Sequence, residues 1–82
     1  MKKIKINIVA ITEDLQDYND YYAFIDLEKA QQFIKKTIKE VKEDESIFEI
    51  YTDEEYEFYY NSSKGNSKIY LFETLTYDDY EK

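Results

Sequence analysis

Eighty-two residues with a formal net charge of −8 and no cysteine, histidine, proline, tryptophan or arginine fit one small domain, 1–82, that no disulfide or thiolate–imidazole metal site can staple. The same absences exclude thiol and imidazole catalysis and ordinary haem or iron–sulfur ligation. A single glycine, Gly65, excludes phosphate-cradling loops and dinucleotide fingerprints.

Residues 3–12 read as a strand. Ile4, Ile6, Ile8 and Ala10 share one face, and Val9 and Ile11 make the other face apolar too, which predicts a central position. Residues 13–20 form a polar connection with four acids and no base. Tyr21–Ile25 is a second, short aromatic strand. Asp26 is an N-cap, and Leu27, Ala30, Phe33/Ile34, Thr37/Ile38 and Val41 then recur at helical spacing. This predicts one amphipathic helix over about 27–44, with lysines in its second half where cations suit the helix dipole.

Beyond Glu45 the pattern returns to strand at 47–51 and 56–60, with Thr52–Glu55 a turn or bulge between them. Residues 61–67 are the strongest turn signal, and 68–77 closes a hairpin with 56–60. Ten isoleucines, four leucines, five phenylalanines and the rings of ten tyrosines must supply the core. The expected fold is α+β in the order β-β-α-β-β, with one helix on an antiparallel sheet of four or five strands and the third and fourth strands either separate or continuous.

Charge falls in blocks. Residues 13–28 hold six acids and no lysine, 29–42 five lysines and one acid, 43–57 eight acids and no lysine, and 73–82 four acids and one lysine. Solubility accounts for acidity in general, but eight acids in fifteen residues repel one another. Each acidic block also carries tyrosines, large rigid side chains with a polar tip that interfaces favour. AT-rich codon usage would raise the tyrosine, lysine and isoleucine content by itself. The candidate partner-binding residues are therefore Glu49, Tyr51, Asp53, Glu54, Glu55 and Glu57; Asp14, Asp17, Asp20, Tyr18 and Tyr21; and Asp78, Asp79 and Tyr80. If 49–57 is extended, Glu49, Asp53, Glu55 and Glu57 lie on one face at multiples of about 6.6 Å, close to the phosphate repeat of a nucleic-acid strand. A tight turn at 52–55 breaks that row.

No catalytic residue, cofactor or metal site is assigned. Paired carboxylates could serve a glycosidase only with a sugar-sized cleft between them. The acids match no calcium loop, and a −8 chain without arginine is repelled by phosphates, which argues against direct nucleic-acid binding.

In size, acidity, AT-rich residue usage and lack of catalytic groups, the whole chain resembles small phage-encoded inhibitors of bacterial defence, the anti-CRISPR and anti-restriction proteins. The resemblance implies a CRISPR effector or restriction enzyme as partner, blocked by mimicry of DNA, by conformational locking or by obstruction of assembly. The expected function is a protein-binding inhibitor that occupies the basic surface of such a nuclease. The alternatives are a non-inhibitory interaction module of a phage or mobile element, including a homodimer pairing edge strands, and an oligomeric small-molecule binder. The basic but alternating N-terminus and the lack of any long apolar run point to the host cytoplasm rather than export or a membrane.

Overall fold

The computed structural model describes residues 2–15 and 17–78. The elements are β1 (Lys2–Glu13), β2 (Tyr18–Phe24), α1 (Leu27–Lys42), β3 (Ile47–Glu54), β4 (Glu57–Ser62) and β5 (Gly65–Asp78). The strands form one antiparallel sheet in the order β2-β1-β5-β4-β3. The α+β fold expected from the sequence is present, and β1 is interior. The two strand patterns after the helix are separate: β3 and β4 pair with each other, so the order is β-β-α-β-β-β.

Register decides what each face carries, because cross-strand partners point the same way. Val9 stands between Tyr22 of β2 and Leu71 of β5, and Phe58 of β4 pairs with Ile69 of β5. These residues face α1, which lies chiefly over β1, β5 and β2. Val9, Ala30, Ile34, Ile38, Phe58, Tyr60 and Ile69 make the core. Full burial of a side chain of this kind contributes about 1.5–3 kcal/mol. Phe33 packs its ring at 4.7 Å from Tyr22 and 5.4 Å from Phe24, tying the helix to the outer strand β2. The other members of the helical stripe follow the sequence pattern, but Leu27 is exposed.

Local chemistry sets the boundaries. The Asp26 carboxylate accepts the Glu28 amide at 2.9 Å and starts the helix. At the other end the Glu43 and Asp44 amides reach back three residues, to Glu40 and Val41, and the Asp44 carboxylate takes the Ser46 amide. That tightened last turn ends α1 at Lys42, short of residue 44. The β1–β2 connection shrinks to 14–17 because the chain remains extended from Tyr18, and Asp17 adopts a left-handed φ of 49°. Asn7 is buried with its amide donating to the carbonyls of Phe24 (3.4 Å) and Ile25 (3.3 Å), which fixes the exit from β2.

Among the described residues only one sheet face has a helix on it, and β1 before Asn7 and β5 after Tyr70 have no second neighbour strand. They project as a two-stranded arm. Extents of 52 × 25 × 16 Å and a radius of gyration of 14.9 Å reflect this arm; a compact chain of this length has about 12 Å.

Candidate functional site

The acidic segment 43–57 folds into the sheet edge. Among the described residues β3 pairs only with β4, and it is interrupted by irregularities at Ile47/Glu49 and Ile50/Thr52. Each such bulge reverses the side on which the following residues point. Glu49 pairs with Asn61, on the face away from the helix, whereas Asp53 pairs with buried Phe58, on the helix side. Glu55 lies in the turn. The expected single row of Glu49, Asp53, Glu55 and Glu57 is therefore absent: the two bulges and the turn distribute the four carboxylates over both faces.

Lysines from elsewhere in the chain meet three of these acids. Lys42 reaches Asp53 at 2.7 Å and Lys35 reaches Glu55 at 2.7 Å, both from α1, while Lys68 of β5 is 4.0 Å from Glu57. The Lys35 contact holds the Glu55 carboxyl below its ordinary range and raises the Lys35 ammonium. Among the described residues, Glu49 and Glu54 form no ion pair. Beside Glu49 the exposed Tyr51 ring packs at 4.8 Å from Tyr59. Partial desolvation, then the Glu49 charge, pushes the Tyr51 phenol up.

The second acidic group lies at the opposite edge, four strand spacings or about 19 Å away. Asp20 accepts the hydroxyls of Tyr22 (2.6 Å) and Tyr18 (2.9 Å) and the Tyr21 amide (3.1 Å). The Tyr22 hydroxyl first, and Tyr18 next, hold its carboxyl below the usual range. Asp14 is occupied structurally. Its carboxylate accepts the Asn66 amide at 2.8 Å and its own amide donates to the Asn66 carbonyl at 3.0 Å, clasping the β1–β2 loop to the start of β5 beside the β4–β5 turn. Between these loops lies an open hollow of about 460 Å³ that includes Asp17, Asn19, Tyr59 and Lys68. Among the described residues, no group of three or more Asp or Glu side chains converges as a metal site would require.

The fold thus divides the candidates. Glu49 and Tyr51 stand together on β3, with Glu54 at its end beside the hollow that Lys35, Lys39 and Lys42 of α1 line; Asp53, Glu55 and Glu57 are tied to lysines; Asp17, Tyr18, Asp20 and Tyr21 stand apart across the sheet, with Asp14 in the loop clasp. Asp79, Tyr80 and the side chain of Asp78 lie outside the described residues.

The sequence reading missed the uncovered sheet face. Ile6, Ile8 and Ala10 of β1 align there with Thr74, Phe72 and Tyr70 of β5, and Ala23 and Tyr21 of β2 continue the rows. The Tyr70 and Phe72 rings stack at 5.7 Å. Phe72 is 38 % exposed and Tyr21 58 %. One signal was present in the sequence: β1 has two apolar faces, and only one helix is available to cover them. Searches of protein-family models, curated proteins and solved structures return no match to this chain.

Proposed function

We propose that this chain is a non-catalytic inhibitor that docks its β3 edge on the basic nucleic-acid-binding surface of a bacterial defence nuclease. The observation that carries the reading is an edge strand on which Glu49 stands beside the packed Tyr51–Tyr59 pair and Glu54 lies at the far end, neither in an ion pair among the described residues. Carboxylates outside the ion pairs of the described residues give long-range attraction to a cationic groove, and the tyrosines supply contact area at low ordering cost. The dispersed acids favour blocking of the groove over imitation of a regular phosphate row. A phage or mobile element of an AT-rich host, and action in the host cytoplasm, complete the proposal.

The test is cleavage of DNA or RNA by CRISPR effectors and restriction nucleases in the presence of increasing amounts of the protein, at low and high salt. Inhibition by competition with nucleic acid is expected, weakening as salt rises. The double variant Glu49→Lys/Glu54→Lys should raise the inhibitory concentration at least about 100-fold, as loss of roughly 3 kcal/mol of binding implies. Equal inhibition by that variant, or none by the natural chain across the panel, rejects the proposal.

A further inference from the structure

We propose that the uncovered sheet face is the interface of a homodimer, in which two copies stack face to face as a β-sandwich. The face is apolar around the Ile4–Ala10 stretch of β1, where Ile4, Ile6, Ile8, Tyr21, Tyr70 and Phe72 share it; farther along, Lys68 of β5 and Glu57 of β4 lie on the same face as an ion pair. Ala10 is fully buried on that face, flanked in register by Tyr21 and Tyr70, so the rings already form a close-packed floor.

Three observations select a second copy as the occupant. The first is charge. A −8 chain repels itself across most of its surface, but among the described side chains of β1, β2, β4 and β5 the charged groups of this face are Lys68 and Glu57, opposite in sign and 4.0 Å apart, so they present no net charge to a second copy. The second is area. β1, β2, β4 and β5 contain 12, 7, 6 and 14 residues. At about 4.8 × 3.3 Å per residue they project to about 600 Å². Side-chain relief raises this toward the roughly 800 Å² per partner of a stable interface. The third is the projecting arm, Lys2–Ile6 paired with Thr74–Asp78. A lone two-stranded ribbon is marginal in water, and a second copy supplies the layer it lacks.

Edge pairing is the less suitable mode. The open edge of β1 carries Lys3 and Lys5, β3 is bulged and acidic, and β2 carries Asp20. These are the devices by which sheets block strand addition. A two-fold axis parallel to the strands and between β1 and β5 stacks β1 on β5 and β2 on β4. It leaves β3 beyond the rim, so the dimer stands whether or not that edge binds a nuclease.

Sedimentation equilibrium of the full chain, from micromolar to near-millimolar concentration, tests the dimer. A species of twice the 10.0 kDa chain mass is expected, strengthening with salt as self-repulsion is screened. That trend is opposite to the one expected for binding a basic partner. Phe72→Lys and Thr74→Lys should each weaken association at least tenfold while circular dichroism remains unchanged. Thr74 is exposed, so its variant decides the matter if Phe72→Lys fails to fold. A monomer throughout the range overturns the proposal, as does a dimer that survives Thr74→Lys in folded form.

Discussion

Gly65 occupies the left-handed region at φ 87° and opens β5 directly after a two-residue turn. A Cβ there would collide with the Asp14 carboxylate oxygen and come within 2.6 Å of Leu15 Cγ. Both the conformation and the Asp14–Asn66 clasp therefore require glycine, which explains why the sequence retains one. Gly65→Ala should destabilise the fold by about 1–3 kcal/mol, combining backbone strain with a displaced clasp. Urea denaturation measures this as a lower midpoint with an unchanged slope. Buried residues such as Phe58 and Ile34 show the opposite relation to sequence: any large apolar side chain of the right period could be placed there, and packing alone distinguishes them.

At the scale of elements, α1 was the most legible part of the chain. Its cap, its three-to-four spacing and its terminal lysines are contacts within a few residues, so they can be read without the rest of the molecule. Asp26→Ala removes the acceptor for the Glu28 amide and should cost about 1 kcal/mol, visible as a lower melting temperature, with Asp26→Asn largely retaining stability. β3 was less legible. Alternation predicts a face for each residue only while pairing is regular, and the irregularity at Ile50/Thr52 puts Asp53 on the opposite face from Glu49. Bulges depend on the partner strand, which lies later in the chain.

At the scale of the whole molecule, the charge blocks take on a different meaning. In sequence the acids of 43–57 face only one another. In the fold α1 crosses back over the sheet and brings Lys35 and Lys42 to Glu55 and Asp53. Exposed pairs of this kind add little stability, but they remove those acids from the pool available to a partner. They also set the pH response. Asp20, Asp44 and Glu55 all have carboxyls held below their ordinary range, by tyrosine hydroxyls, by the Ser46 amide and by Lys35 respectively. The unfolded chain binds these protons more readily, so their contribution is present above the unfolded carboxylate pKa of about 4 and disappears as pH falls through the folded values. Tyr18, Tyr22 and Lys35 are raised. Their contribution is complete below about pH 10 and is lost above the folded values. Melting temperature should therefore decline below about pH 4, and Asp20→Asn should flatten that acid limb. An acid limb identical in the variant would show that the Tyr18–Asp20–Tyr22 cluster does not contribute.

The sequence by itself determined the α+β class, the helix and the interior place of β1. All of these follow from short-range periodicity and composition. The tertiary structure decided which acids meet lysines, which side of β3 each carboxylate takes, and which face of β1 the single helix covers. These depend on strand order and register, because residues distant in the chain become neighbours only when the sheet assembles. One helix can cover one face of a five-stranded sheet, and the fold leaves Ile6, Ile8, Tyr70 and Phe72 on the other.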